Sequence, residues 1–381
     1  MANNLIMLNT VLNRFTDSNV VLRKRRKTEA LQYWEPKVAE VVQYVKEREN
    51  RFSKMQILRT GSYYERSKVG EPDEFDLMLV VENLELDAGP YGDDEDDGMS
   101  EPPKGFTRVM IDMGEERIWR PDSCVNTRGM LSASSVKSVF ARHVRNAIEY
   151  LGYGSTDEDD EMFVEVRSQG PAVTLIITNR MNGRKYSIDL TLAIKDKSWP
   201  EDADEWKGRP RRGWPNQNLV REIWHDGCHL VAKQPKGSNV PEHEKGFLWR
   251  YSFSEAEKKL FLRGGHGEAS SCRKQVLRIL KALKEGLDLH PLKSYHLKTM
   301  LLYECEEKPH PSSWSFDHLG DRFMGLLQRL LDCLRQKNCP HYFMREFNLF
   351  ETFPRQRCTE LITRIQGIKQ NPERVLNTII V

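Results

Sequence analysis

Apolar positions along the chain fall into two regimes. Up to about residue 200, stretches with helical spacing alternate with short runs of strand character; beyond it, helical spacing dominates. Residues 2–15 carry Leu5, Ile6, Leu8, Val11 and Leu12 on one stripe, the period of an amphipathic helix. A long helix is predicted from Thr28, where Leu31, Trp34, Val38, Val41, Val42 and Val45 recur at helical spacing. Pro36 lies inside it and is expected to kink or break it, because proline lacks the N–H that the helix needs. Strand-like runs follow at 55–59, 76–82 and 107–113. Residues 132–151 predict a helix capped by Ser132 or Ser134. Three more strands are predicted at 163–167, 172–178 and 186–194. The middle one is nearly all apolar, as in a strand covered on both faces. Polar loops containing Trp and Pro then lead into helical runs at 254–263, 272–287, 292–306, 316–336 and 355–367. The pattern predicts an α+β chain of two lobes. Residues 1–200 form a mixed β-sheet lobe braced by a long spine helix, and residues 201–381 form a mostly helical lobe.

Composition narrows the class. A chain of 381 residues is long enough for two sizeable cores. Hydrophobic residues make up 39% and charged residues 30%, a globular balance, and the formal net charge is only +2. Any affinity for nucleic acid must then come from local patches rather than a global field. No apolar run approaches the roughly 20 residues that span a bilayer. The N-terminus lacks the basic start, long apolar stretch and small-residue cleavage site of a secretory signal. Seven scattered cysteines, an odd number, predict a reducing compartment, hence a cytoplasmic protein without disulfides. Residues 89–105, with five consecutive acids from Asp93 to Asp97 among Gly and Pro, predict a solvated insertion. A second acidic loop covers 157–161.

The chemistry concentrates between Leu58 and Glu82. A short apolar run ends in Thr60-Gly61-Ser62, a small-residue turn, and Glu74-Phe75-Asp76 follows at the head of another apolar run. Residues i and i+2 of a strand face the same way, so Glu74 and Asp76 present their carboxylates together while Phe75 and Leu77 turn inward. Two adjacent acids repel unless a cation sits between them. Mg²⁺ suits such a place, since it takes oxygen ligands from one or two carboxylates and from substrate phosphates. The Gly-Ser turn can bring backbone N–H groups and a hydroxyl near those phosphates. Asp189, on the predicted strand 186–194 with Leu190, Leu192 and Ile194 turned away, supplies a third acid if its strand neighbours the first. Three acids so placed would bridge two Mg²⁺ or Mn²⁺ ions for in-line displacement at phosphorus. The competing explanation is a surface strand with solvated acids.

The motifs TGSYYE, EFD, PAVTLIIT and IDLTLAIKDKSWP, followed in order by WRYSFSEAEK, KSYHLKTMLLYECE and CPHYFMREFNLF, resemble the cyclic GMP–AMP synthase (cGAS) family and its cGAS-like receptors. The resemblance covers nearly the whole chain. It implies a bilobed nucleotidyltransferase fold and a metal-dependent cyclic dinucleotide synthase that uses ATP and GTP. By position, Glu74, Asp76 and Asp189 match the metal-binding and catalytic acids. Ser62 matches the residue touching the triphosphate and Thr60 the residue lining the acceptor side. Arg250, Ser252, Ser254 and Glu257 match the purine-recognising strip, and Lys281 a triphosphate-contacting lysine. Ser294, Tyr295 and Lys298 match the segment over the donor nucleotide. Tyr295 offers a π-face for stacking and Arg250 a planar donor fork.

The chain departs from the vertebrate pattern at the zinc thumb. His266 is followed by Cys272 and then by Arg273, Lys274, Gln275 and Val276, and His290 and Cys305 lie too far along to rescue the spacing. A tetrahedral structural site takes four protein ligands, so no zinc is expected. The missing thumb shifts the expected activator from B-form DNA to double-stranded RNA, which is read by shape and phosphates. The resemblance places a duplex-binding face on Arg23, Lys24, Arg25, Arg26 and Lys27 with Lys258, Lys274 and Arg278. It also implies innate immune, antiviral sensing and a dimer formed on the ligand. Lys207, Arg209, Arg211 and Arg212 make a further basic cluster on a loop. The expected mechanism has the duplex straighten the helix at Pro36 and order residues 65–72, after which ATP donates to a ribose hydroxyl of GTP and the linear product cyclises. Two rival readings share the fold: a catalytically silent binding module of the male-abnormal branch, and a linear-product transferase of the oligoadenylate type.

Overall fold

A computed structural model describes residues 2–19, 24–82, 84, 86, 99–155, 157, 160–235, 239–263 and 271–379. Residues 89–98 of the predicted acidic insertion 89–105 and parts of the 157–161 loop lie outside the described residues, as do Arg23 and His266. In chain order the helices of the first half are α1 (Ala2–Asn19), α2 (Lys24–Arg48), α3 (Gly61–Tyr64), α4 (Met113–Trp119) and α5 (Ala133–Tyr150). Its strands are β1 (Gln56–Thr60), β2 (Glu74–Val81), β3 (Phe106–Arg108), β4 (Met162–Gln169), β5 (Ala172–Asn179) and β6 (Lys185–Asp196). The second half adds α6 (Asp204–Gly208), α7 (Gln217–Asp226), β7 (Cys228–Val231), α8 (Glu242–Lys245), β8 (Leu248–Ser252) and α9 (Ser254–Arg263). It ends in α10 (Arg273–Gly286), α11 (Ser294–Glu307), α12 (Leu319–Gln336), α13 (Arg355–Gln370) and α14 (Pro372–Ile379).

The architecture is α+β, as expected, with a mixed sheet. β1 and β2 are antiparallel, β2 and β6 parallel, and β6 is antiparallel to both β5 and β7. β6 is long enough to serve both: residues 185–191 pair with β5, and 193–196 with β7. From there β4 extends one branch, and β8 with β3 the other.

Two buried cores back this sheet. One gathers α2, α5 and the inner faces of β2, β5 and β6, with Trp34, Phe75, Phe140 and Ile188 at its centre. The other gathers α7 and α9 to α14 around Trp206, Trp314, Phe323 and Tyr342. Leu8, Val11, Leu12 and Phe15 of α1 belong to this second core, not to the sheet lobe that follows them in sequence. Asn9 locks the docking: its Nδ2 donates to the Asp317 carbonyl and its Oδ1 accepts from Gly320 N, both at 2.6 Å. Among the described residues no helix is long and apolar enough to cross a membrane.

Two expectations need correction. α2 runs on through Pro36 without a break. Trp34, Val38, Val41, Val42 and Val45 are all buried in one core, and that burial outweighs the roughly 3 kcal/mol that an internal proline costs. Lys37 Nζ donates to the Tyr33 carbonyl one turn back, at 2.9 Å. The predicted strand over 107–113 shrinks to β3, because Asp112 caps α4 by accepting from Gly114 N at 2.7 Å. Ser132, rather than Ser134, caps α5, accepting from Ser135 N.

Candidate active site

The parallel ladder between β2 and β6 sets Asp76 directly beside Asp189, and Glu74 beside Ser187. Directly paired residues share a face of the sheet, so the two aspartates project together. Phe75 and Leu77 are buried on the other face. On the far side of β2, Thr60 pairs with Asp76, and Thr174 Oγ1 donates to Asp189 Oδ1 at 2.6 Å. Asp76 opens on a cleft, reached by solvent from that side and hemmed in by protein on the others. Its carboxyl is pushed up to about 6, first by burial and then by Asp189, Glu65 and Glu74. That excess of negative charge is what a bound cation relieves.

Glu74 behaves differently. Its side chain is 74% exposed and pairs with Lys68 at 2.7 Å, and Lys68 also reaches Asp73 at 3.3 Å. Among the described residues no group of three or more His, Cys, Asp or Glu side chains is gathered closely enough to hold a metal. The structure thus brings Asp76 and Asp189 together and leaves Glu74 on Lys68.

Gly61 explains why the turn needs glycine. It opens α3 with φ +78°, and a Cβ there would stand 2.2 Å from Asp76 Oδ2. Any side chain would therefore be strained in backbone and would also collide with the acid.

Asp76 faces a cavity of about 1040 Å³. Thr60, Ser62, Arg250, Ser252, Ser254, Glu257, Lys281, Ser294, Tyr295 and Lys298, all expected from the sequence at a nucleotide, line this one cavity; Asp189 and Glu74 do not. Ser62 sits on α3, Arg250 and Ser252 on β8, and Ser254 and Glu257 on α9. The Ser252 and Ser254 hydroxyls are 3.0 Å apart. Lys281, 5% exposed on α10, donates to the carbonyl and hydroxyl of Ser67, both at 3.0 Å. Burial, then repulsion from Lys298, lowers its pKa to about 8. An anion in the cavity would raise it again. Lys298 lies between two buried carboxylates, Glu65 at 2.7 Å and Glu257 at 2.5 Å. Burial opposes its charge, yet Glu257 and Glu65 outweigh burial and raise its pKa.

The basic residues expected to meet a duplex separate into groups. Lys27, Lys274 and Arg278 line a second cleft of about 940 Å³ together with Arg66 and Lys68. Burial, then Arg278 and Arg66, lowers the Lys27 pKa, so neighbouring cations add to the cost of its charge. Arg26 is paired with Glu71. Lys258 donates to the Arg59 carbonyl at 2.9 Å, tying α9 to β1. Lys24 opens α2, and its side chain and that of Arg25 lie outside the described set. Of the zinc candidates, Cys272 is fully buried at the N-cap of α10.

The loop cluster at 207–212 is not a basic surface patch as a whole. Arg209 is buried, with Glu205 at 2.8 Å, Glu306 at 3.1 Å and the Tyr342 carbonyl at 3.0 Å. Arg211 lies over the Trp206 ring at 4.6 Å from its centre.

Sequence reasoning passed over Lys68, Arg66, Glu65 and His341. Lys68 and Arg66 lie in the interval between Ser62 and Glu74, where the charge was legible but its partner was not. His341 sits inside the CPHYF motif, which carried resemblance but no assigned role.

A sheet-borne pair of aspartates, a glycine turn packed on one of them and a polar cavity alongside are the arrangement expected of a nucleotidyltransferase. Residues 63–263 match the Mab-21 protein nucleotidyltransferase domain, and residues 272–367 match the Mab-21 protein HhH/H2TH-like domain. The chain belongs to this cGAS-like nucleotidyltransferase family. Over 349 residues it is 31% identical to cyclic GMP-AMP synthase of Mus musculus, an alignment that takes in 86% of this chain and 63% of that protein's length. Nucleotidyltransferases of this kind use divalent metal ions and nucleoside triphosphates.

Proposed function

We propose that the protein is a double-stranded nucleic-acid sensor that joins ATP and GTP into a cyclic dinucleotide of the cyclic GMP–AMP type. The observation that carries this reading is the register of Asp76 against Asp189 beside a cavity lined by all ten other expected nucleotide contacts. In this reading the sheet lobe, 1–200 without α1, holds the reacting groups, and the helical lobe, 201–381 with α1, completes the nucleotide pocket, lends β7 and β8 to the sheet and carries part of the duplex face.

Asp76 and Asp189 fit a divalent cation, Mg²⁺ or Mn²⁺, by their hard oxygen donors and by the raised Asp76 carboxyl. Glu74 joins them once it leaves Lys68. When bound, such ions supply Lewis-acid activation of a hydroxyl and neutralise charge at phosphorus. The chain's own groups do the rest. Ser62 and the α3 turn approach the triphosphate, and Lys281 balances its charge. Arg250 and Tyr295 hold the purine, and Asp189 orients the attacking ribose hydroxyl.

The crowded cations at Lys27, Arg66, Lys68, Lys274 and Arg278 support a polyanion in the second cleft. Lys68 belongs both to that cleft and to the ion pair on Glu74. A duplex there would draw Lys68 toward phosphate and free Glu74, which couples ligand to catalysis. This replaces straightening at Pro36 and ordering of 65–72 as the activating change, since α2 is already continuous and Glu65, Ser67 and Val69 are already buried. The absence of a full zinc-thumb ligand set in the sequence favours RNA over DNA, and we place the reaction in the cytoplasm, with a dimer forming on the ligand.

The test is incubation with ATP, GTP and Mg²⁺ or Mn²⁺, with duplex RNA or DNA, and mass analysis of the products. A cyclic dinucleotide that depends on duplex supports the reading. A linear oligonucleotide, or no product with any ligand, sinks it in favour of the oligoadenylate-type or silent-module reading.

A further inference from the structure

His341 lines the nucleotide cavity yet is only 2% exposed. Its ring is surrounded by Phe253, Phe343 and Phe347, with centroids 5.6, 6.1 and 5.9 Å away. Its backbone is pinned as well: its N–H donates to the Phe347 carbonyl at 2.8 Å, and its carbonyl accepts from the Tyr303 hydroxyl at 3.1 Å.

The hydrogen bonds of the ring have one direction. The backbone N–H groups of Phe343 and Met344 both point at Nδ1, each at 3.2 Å. Two donors aimed at one ring nitrogen require a lone pair there, so in the neutral ring the proton resides on Nε2. Nε2 lies 2.6 Å from the Tyr295 hydroxyl oxygen, which must accept. Tyr295 then keeps its own proton: burial, then the charge of Glu257, holds its phenol well above the ordinary value. Glu257 accepts from Lys298, and Lys298 also donates to Glu65 at the C-cap of α3. His341 thus holds the Tyr295 ring to a C-terminal loop, while Lys298, with Glu257 and Glu65, ties α11 to α9 and to the helix that carries Ser62. Burial, then Arg250, pushes the His341 pKa down to about 3, which keeps the ring neutral.

We infer that His341 is a positioning residue that fixes the Tyr295 ring against the purine of the bound nucleotide. This inference rests on the reading of the cavity as a nucleotide site. With its oxygen held by the His341 Nε2–H, Tyr295 presents its ring to a base. It recognises the purine through its ring face, and the orientation of that face is set by His341.

Two substitutions separate the two ends of the imidazole. His341→Asn keeps an acceptor near the Nδ1 position but cannot reach Tyr295. His341→Gln places an amide N–H near the Nε2 position. Calorimetric binding of ATP and GTP with Mg²⁺ to the full-length protein is the readout, with inorganic tripolyphosphate as the control that has no base. The Asn variant should bind both nucleotides about tenfold more weakly and tripolyphosphate as the wild type does, and the Gln variant should stay within about twofold for all three. Tyr295→Phe, which keeps the ring and removes the oxygen, should show the same selective loss and stands in if the Asn variant does not fold. Adding His341→Asn to Tyr295→Phe should produce no further loss. Unchanged nucleotide binding in the Asn or Phe variant, an equal loss for tripolyphosphate, or additive effects in the double variant overturns the inference alone. Wild-type protein that binds neither nucleotide overturns both the inference and the reading of the cavity.

Discussion

Replacing Lys298 by methionine removes one cation from between two buried carboxylates. The Lys298 side chain is 10% exposed, and those of Glu65 and Glu257 are 3% and 6% exposed, so water cannot stand in for the lost ammonium. Breaking a buried ion pair from one side costs about 3–5 kcal/mol, most of it from the charge left behind. Two stranded acids put Lys298→Met at the upper end of that range. Burial already pushes Glu257 above its ordinary value, and losing Lys298 raises it further. A carboxyl raised in the folded state binds its proton more tightly there than in the unfolded chain. The deficit is therefore full near pH 8 and shrinks as the pH falls through the raised pKa. Urea unfolding at pH 8 and pH 5.5 measures both statements. Combining Lys298→Met with Glu65→Gln and Glu257→Gln should recover much of the loss, because no charge remains to be solvated. A loss below about 1 kcal/mol at pH 8, or a deficit that grows on acidification, would refute the reasoning.

Three other outcomes follow from the same structure. His229, His296 and His341 are lowered to about 4, 3 and 3, in each case first by burial; stability from each is full above about pH 6.5 and lost as the pH falls, at about 1.4 kcal/mol per unit. The raised carboxyls of Asp76 and Glu257 oppose this in part, so urea unfolding between pH 6 and 5 should show a net fall, and a flat profile contradicts it. Lys68→Met removes a partly exposed ion pair worth about 1 kcal/mol, so product formation without duplex should rise about fivefold; unchanged or lost basal activity contradicts the coupling of the two clefts. Lys27→Glu with Arg278→Glu should abolish stimulation by duplex and lower the slope of log affinity against log salt by about two, while the unstimulated rate stays the same.

Much of the architecture was legible because its signals are local. The valine stripe of α2, the apolar β5 and the alternating β6 declare themselves within a window of a dozen or so residues. The two aspartates were legible as well, since an acid at the head of an apolar strand stands out, but their shared register depends on a parallel pairing across more than a hundred positions. What escaped is decided by partners distant in sequence. β7 is four fully buried residues with no alternation to reveal it, and β8 is only five residues long. α1 looks like any amphipathic helix until it docks on α10, α12 and α14. Arg209 reads as surface charge, yet Glu205, Glu306 and the Tyr342 carbonyl allow it to be buried. Glu74 reads as a partner of Asp76, and its ion pair with Lys68, six residues upstream, depends on a loop path that the sequence does not reveal.

The most direct measurement of the central claim is product formation by the wild type beside Asp76→Asn and Asp189→Asn, with ATP, GTP, Mg²⁺ and duplex RNA. Each variant removes one charge with little change in shape. The account predicts a cyclic dinucleotide from the wild type and none from either variant, although both still fold and bind tripolyphosphate. A fully active Asp189→Asn protein would contradict it.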